Sequence, residues 1–339
     1  MMSMRIKLLE KMTSKVTEIL FIAEIESIHS KRFVKTLTNK FNVDEFYLRG
    51  SALHEDVSKF GNSKCIIACP LTSGINSIPN NINLPIIGIC MALEINEDSK
   101  DPKINIQLKK NVSRCRAIVC DSGYIEKVLR DNFDFKGDIL RIVYGCDQSI
   151  FLPVALKNSN TLRIISTRNW TPVHSNGLLV DALKILEEKG INFKASFYGK
   201  GIELNKTEIS KIKQFRNNQV TINGQFLNSF LPTIFQEHEI YISTSVSDGT
   251  SVSLIEALSA GRICICRDFP SNREWIIHGE TGYLFTDLND LVEILVILNN
   301  MDFNNKMNIS EAAKRYVLNR GDWKTNAPKF LNLVSRYVS

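Results

Sequence analysis

Residues 243–285 read STSVSDGTSVSLIEALSAGRICICRDFPSNREWIIHGETGYLF, and this stretch decides the fold. The run EIYIST that leads into it is β-branched and apolar, a strand pattern. A polar loop with Asp248 and Gly249 follows, and then an apolar-periodic segment from Ser253 that reads as a helix. A second apolar run, ICICRD, comes after the helix, so the order is strand, loop, helix, strand. Such an order builds parallel sheets, because parallel neighbours need a crossover connection. Ser251 or Thr250 is placed to cap the helix, leaving first-turn N–H groups and the positive end of the helix dipole as an anion site suited to a diphosphate. Glu256 stands eight positions past Asp248, about two turns into the helix. The two carboxylates can hold hydroxyl-bearing groups on either side of that diphosphate.

Working outward, the same alternation fills the chain. The first half carries EILFIAEI, DEFYL, CIIAC, LPIIGIC, AIVC and ILRIVY as strands, with helices expected around Lys31–Lys40, Ile104–Cys115 and Tyr124–Asn132. Near-continuous apolar strands such as CIIAC mark a sheet buried on both faces. The second half begins again with LRIISTR, a helix over Leu178–Glu188, FKASFYG, VTING and EIYIST. At 339 residues the chain exceeds what one core usually holds. The expected class is therefore α/β, two Rossmann-like doubly wound domains facing a cleft. The polar stretch VALKNSNT puts the boundary near Lys157, giving residues 1–156 and 157–323. Pro328 lies inside the last helical pattern, where a kink would send residues 324–339 back onto the first domain.

Composition narrows the function. The chain has 42 Lys+Arg, 36 Asp+Glu and a net charge of +6. The excess divides evenly between residues 1–150 and the remainder, with no dense basic block, which argues against a nucleic-acid partner. The eight cysteines include Cys65, Cys69, Cys115, Cys120, Cys264 and Cys266 in apolar runs, without a CxxC pair or a histidine cluster; they read as buried free thiols, and no metal site is expected. No apolar run is long enough to span a bilayer. The segment MMSMRIKLLEKMTSKV reads as a leader before the first strand, basic enough to lie on an acidic membrane surface. A nicotinamide oxidoreductase would need a GxGxxG turn after a strand; GKGIEL is the nearest stretch and fails after its second glycine.

The stretch Asp248-Gly249-Thr250-Ser251-Val252-Ser253-Leu254-Ile255-Glu256-Ala257-Leu258-Ser259-Ala260-Gly261, with Asn272-Arg273-Glu274 after it, resembles retaining glycosyltransferases of family four, glycosyl transferases group 1, which have the GT-B fold. Their pattern is two acidic residues separated by seven, around a glycine-containing loop, followed by EAxAxG. IVYGCDQSIFLP resembles the family's interdomain junction, through Gly145, Asp147, Phe151 and Pro153, and SFYGKG resembles its short glycine loop.

The resemblance implies a GT-B fold with a C-terminal helix returning to the first domain. It also implies a metal-independent hexosyltransferase using a nucleotide diphosphate sugar, uridine or guanosine type, as donor substrate, with no separate cofactor. The acceptor would be a glycan or lipid-linked molecule, in cell-surface polysaccharide or glycoconjugate synthesis. The enzyme would be cytoplasmic, with peripheral membrane contact at the inner face. By position, Arg168 would neutralise the leaving diphosphate and Asp248 would approach the transferred sugar. Glu256 would hold the ribose, and the backbone of Gly249, Thr250, Ser251, Val252 and Ser253 would lie near sugar and phosphate, with Glu274 near the sugar. The bland readings are a solvated Glu256, a turn-forming Asp248, an Arg168 that only balances charge and a surface His174.

The pattern breaks in three places. The family lysine five or six positions after the arginine is replaced by His174, which a bound diphosphate would have to protonate to supply the same charge; rate would then fall as pH rises through about 7–8. The glycines after the first strand are replaced by AEIESIHSKRF, with His29 and Arg32. The histidine near the end of the fourth strand is missing from ICMALEINE, where Glu94 is the nearest polar candidate. These losses favour an alternative, a non-catalytic GT-B carbohydrate-binding or scaffolding partner of another transferase. The retained Arg168, Asp248 and Glu256 oppose it.

Overall fold

Successive residues of a strand point to opposite faces, so a strand apolar at every position must be covered on both. The computed structural model, which describes residues 17–48, 63–151, 155–226 and 228–338, bears this out in two parallel sheets. The chain divides into two compact units. One takes the chain up to Asp121, Ile125–Ile142 and the chain from Ala327; the other takes Ser122–Tyr124 and Val143–Asn326. The main change of unit thus falls at Ile142–Val143, upstream of Lys157, within the IVYGCDQ junction itself. Pro153 and the basic N-terminal segment lie outside the described residues.

The first unit contains strands β1 (Ile19–Ala23), β2 (Val43–Tyr47), β3 (Cys65–Cys69), β4 (Ile86–Ile89), β5 (Ala117–Cys120) and β6 (Asp138–Arg141), in the order β2-β1-β3-β4-β5-β6. Every pairing is parallel. Helices α1 (Ile28–Thr38), α2 (Ser73–Asn76), α3 (Ala92–Asn96), α4 (Pro102–Arg114) and α5 (Gly123–Asp131) intervene. Leu20, Ile22, Ile66 and Ile118 meet Leu108, Val112 and Leu129 in one core.

The second unit contains β7 (Leu162–Ser166), β8 (Phe193–Phe197), β9 (Val220–Ile222), β10 (Ile240–Ser243), β11 (Ile263–Arg267) and β12 (Tyr283–Phe285), in the order β12-β11-β10-β7-β8-β9, again all parallel. Its helices are α6 (Asn176–Glu188), α7 (Lys206–Ile212), α8 (Leu231–Gln236), α9 (Val252–Ser259), α10 (Pro270–Arg273), α11 (Leu288–Asn300) and α12 (Phe303–Val317), and α13 (Trp323–Val338) starts at its end. Alternation along the strands divides the side chains between two cores. Ile164, Ile242 and Ile265 join Leu183 and Leu295 on one face, whereas Ile165, Tyr241 and Cys264 join Leu258 and Ala313 on the other.

The strand order fixes where a ligand can bind. The chain runs outward from β7 through β8 to β9, then restarts with β10 on the other side of β7. That reversal separates the loops after β7 and β10, and their carboxyl ends form the switch point at which doubly wound sheets take ligands. Arg168 follows β7 and Asp248 follows β10.

Helix α13 begins in the second unit and ends in the first, continuing through Pro328. In the first unit Phe330 sets its ring edge-on against Phe33 at 5.0 Å, and the Tyr337 hydroxyl donates to Asp138 Oδ2 at 2.8 Å. At the junction Gly145 has φ +53°, and a Cβ there would stand 2.5 Å from the Gly321 carbonyl oxygen. The residue must be glycine for the Cys146 and Trp323 amides to reach the carbonyls of Gly321 and Cys146 at 3.2 and 2.9 Å. Phe151 is buried beside it, and Asp147 accepts from the Ser149 amide and faces Lys324 at 3.2 Å. All eight cysteines are free and buried, with burial pushing the thiols of Cys65, Cys115 and Cys266 up to about 12.

Candidate active site

The loop after β7 is shaped by side chains that hold its backbone. Asn176, buried at the start of α6, donates from Nδ2 to the carbonyls of Arg168 and Asn169 at 3.0 and 3.1 Å, and its Oδ1 accepts from the Ser166 hydroxyl. Gly199, after β8, has φ +132°; a Cβ there would stand 2.6 Å from the Arg168 carbonyl oxygen. The glycine loop SFYGKG thus lets backbone approach backbone directly beneath Arg168. Across the switch point, the Val246 amide donates to the Val173 carbonyl at 2.8 Å and the Thr244 hydroxyl to the His174 carbonyl at 2.9 Å. The two loops are thereby tied together.

Arg168 is the centre of the site. Its Nη1 donates to the hydroxyls of Ser251 and Ser253 at 2.8 and 3.2 Å, and its Nη2 donates to Asp248 Oδ2 at 2.6 Å and faces His174 Nδ1 at 3.1 Å. The side chains of Arg168 and Asp248 are 13% and 21% exposed, so water screens this ion pair only in part. Burial opposes the charge on Arg168, yet Asp248 prevails and holds the guanidinium pKa above its ordinary value. A guanidinium has five N–H groups. Four are directed at these partners, and the fifth, on Nε, is buried with no acceptor among the described residues.

Asp248 also accepts from the Gly249 amide at 2.9 Å. Ser251 occupies the N-cap position of α9, but its side chain does not cap the helix. The Ser251 hydroxyl is taken by Arg168 and faces Ser253 at 3.0 Å, while the Thr250 hydroxyl accepts from Trp275 Nε1 at 3.1 Å. That corrects the expectation of a side-chain cap: the charged donor outcompetes the helix amides for the serine. The first-turn N–H groups of Val252 and Ser253 accordingly take no acceptor among the described residues. Glu256, one turn further along α9, is 5% exposed, so it is not a solvated surface carboxylate.

His174 ends a short 3₁₀ turn over Pro172–His174, with Ser175 after it in the left-handed region at φ +48°. Its Nδ1 also lies 3.1 Å from the Ser245 hydroxyl. Burial first, and Arg168 second, lower the imidazole pKa to about 3, so the ring is neutral at physiological pH. A dianion that protonated it would have to overcome both causes.

Glu274 stands apart from this network. Its Oε2 and Oε1 accept from the amides of Gly123 and Tyr124, both at 3.1 Å, and those residues belong to the same unit. The carboxylate thereby satisfies the two backbone N–H groups of that short segment. In the first unit Glu94 is 2% exposed and accepts from the amides of Leu71, Thr72 and Met91 at 2.9–3.0 Å. Burial nevertheless raises its pKa to about 7 against those three bonds. His29 is likewise neutral: burial, then Arg32, lower its pKa to about 4.

The structure thus joins Arg168, Asp248, His174, Ser251 and Ser253 by direct contacts, and places Gly249, Thr250, Val252 and Glu256 on the same loop and helix. Sequence reading missed Asn176, Ser245 and Tyr241. The buried Tyr241 faces Ser253 Oγ at 2.7 Å with its hydroxyl, and burial raises the phenol pKa so that it stays protonated. Only the start of α6 after a proline turn could have pointed to Asn176; for the other two the sequence carries no signal.

Comparison with known proteins bears on the fold and on the second unit's sequence. Residues 162–300 match the family model described as glycosyl transferases group 1. Glycosyltransferase 1 domain-containing protein 1 of Xenopus tropicalis is 27% identical over 127 residues, 36% of this chain and 36% of its own. The UDP-N-acetylglucosamine–peptide N-acetylglucosaminyltransferase GtfA subunit of Streptococcus agalactiae is 29% identical over 107 residues, 31% of this chain and 20% of its own. The chain thus spans about a third or less of the length of the curated relatives it matches. The solved structure of Anabaena Alr3699/HepE in complex with UDP and glucose is similar at a TM-score of 0.77 and 14% identity, over 94% of this chain and 99% of that one. The fold is GT-B, with two Rossmann-like units.

Proposed function

We propose that the protein is a retaining, metal-independent glycosyltransferase of family four, moving a hexose-type sugar from a nucleoside diphosphate donor to a glycan or lipid-linked acceptor in cell-surface polysaccharide or glycoconjugate synthesis. The observation that carries the reading is the Arg168–Asp248 contact of 2.6 Å, made at the switch point beside the uncapped start of α9. Arg168 and the first-turn amides of Val252 and Ser253 stabilise the negative charge that develops on the departing diphosphate. Asp248 approaches the transferred sugar, with Gly249–Ser253 along sugar and phosphate, and Glu256 holds the ribose hydroxyls. The acceptor hydroxyl attacks from the face the diphosphate leaves. A uridine-type donor is supported by the neighbour solved with UDP and glucose, and a guanosine type is the other candidate. The same reading puts the enzyme in the cytoplasm, peripheral at the inner face of the membrane.

The test is a panel of uridine and guanosine diphosphate sugars, followed by release of the nucleotide with and without glycan acceptors. Turnover of one donor with net retention at the anomeric carbon supports the reading; retention of none of them in binding or turnover refutes it. A second reading, a non-catalytic GT-B partner of another transferase, is favoured by one observation: Arg168 already directs four of its five N–H groups at protein partners. Calorimetry with uridine and guanosine diphosphates separates the two, since a scaffold need bind neither.

A further inference from the structure

We infer that His174 serves the donor site as a neutral residue, its Nδ1 fixing the Arg168 guanidinium and its Nε2–H donating to a phosphate oxygen of the nucleoside diphosphate. The inference rests on the nucleotide-sugar reading above and specifies how that site handles charge.

Arginine can only donate, so the nitrogen that faces Nη2 at 3.1 Å must offer a lone pair. That assigns Nδ1 as the acceptor and leaves the single proton of the neutral ring on Nε2. The Ser245 hydroxyl, also 3.1 Å from Nδ1, can donate or accept, so the arginine, which can only donate, decides the assignment. No described residue accepts from Nε2–H, and the residue is only partly buried. Nε2–H therefore stands one ring away from the guanidinium, beside the group that would meet the phosphates. The charged groups around the ring are Arg168, from the loop after β7, and Asp248, from the loop after β10, which pairs with that same guanidinium. No carboxylate bonds the imidazole directly, so nothing in the site favours an imidazolium next to Arg168.

A lysine could not do this. An ammonium has three donors and no acceptor, so it would leave the second Nη2–H, the one not bonded to Asp248, without this acceptor and set a second cation against the first. In this chain one cation, one neutral ring and one helix start face the diphosphate.

The experiment uses the full chain labelled with ¹⁵N at histidine. Ring-nitrogen spectra are recorded between pH 6 and 8, alone and with UDP. The expected result is the Nε2–H tautomer for His174 in both. An imidazolium pattern with UDP, or the proton on Nδ1, overturns the inference. Calorimetry with UDP in two buffers of different ionisation heat supplies the second reading. Wild type should take up no proton through His174. His174→Gln, which keeps one acceptor and one donor without charge, should bind UDP within about threefold of wild type. His174→Ala should lose on the order of a hundredfold, because both hydrogen bonds are made to charged groups, the Arg168 guanidinium and the phosphate. Equal binding by the glutamine and alanine variants, or a proton uptake that His174→Gln removes, overturns it. If folded wild type binds neither UDP nor GDP, the donor reading falls and the phosphate contact with it, while the spectra of the protein alone still decide the hold on Arg168.

Discussion

Replacing Arg168 by alanine tests the site at its centre. The guanidinium makes an ion pair with Asp248 at 2.6 Å and three further charge-assisted bonds, to the neutral side chains of Ser251, Ser253 and His174. A hydrogen bond to a charged group contributes roughly 1.5–3 kcal/mol and a neutral one about 1 kcal/mol. Removing one partner of a buried pair costs about 3–5 kcal/mol when the remaining charge is sealed from water. Asp248 is 21% exposed and keeps its bond from the Gly249 amide, so water can reach it and the cost falls to about 2 kcal/mol. For a domain of this size that lowers the melting temperature by roughly 4–8 °C. Catalysis should suffer more. One well-placed donor to a developing oxyanion contributes about 3–4 kcal/mol, a loss of several hundred-fold in turnover. The assay is nucleotide release from the donor sugar that the panel identifies, beside thermal unfolding of Arg168→Ala, Asp248→Asn and the double variant. The stability losses should be non-additive, because Asp248→Asn removes the carboxylate that Arg168→Ala strands. Turnover within tenfold of wild type, or additive losses of stability, would refute the reasoning.

Further predictions follow from the supporting contacts. Gly199→Ala places a Cβ 2.6 Å from the Arg168 carbonyl at φ +132°, and should cost about 1–3 kcal/mol of stability and weaken UDP binding; unchanged unfolding would show that the loop relaxes freely. Glu274→Ala removes the acceptor of the Gly123 and Tyr124 amides and should cost about 1 kcal/mol with faster hydrogen exchange at Tyr124, leaving the Michaelis constant for the donor unchanged; a rise in that constant without an exchange effect would place Glu274 at the sugar instead. Glu94 has its folded pKa raised to about 7, so it favours the native state fully below its ordinary range near pH 4.5 and loses that contribution as pH rises to about 7. Chemical unfolding of the first unit should therefore show stability falling across that window by a few kcal/mol, and Glu94→Gln should flatten the fall; an identical profile in the variant would contradict it.

The strands were legible because burial on both faces leaves an uninterrupted apolar run, as in CIIAC and ICICR. The short β12, with only Tyr283–Phe285, and the one-turn helices α2 and α10 carry too few residues to show a period. Asp248 and Glu256 were legible in sequence through a loop and a helix start, and Arg168 through the family resemblance alone. The Arg168–Asp248 contact itself was not, since 80 residues separate the partners and only the strand order brings them together. Capping by Ser251 failed as an expectation for a related reason: sequence shows the helix start but not the distant guanidinium that claims the hydroxyl. The charge state of His174 depends likewise on burial and on Arg168, neither of which local sequence records.

Helix α13 has a consequence for synthesis. The first unit lacks Phe330, Leu333, Val334 and Val338 until every residue of the second unit has been translated, and these four side chains are buried. Domains usually complete in the order in which they leave the ribosome. Here the second unit can close first, while Phe33 waits for Phe330. The half made earliest is thus the half that is finished last.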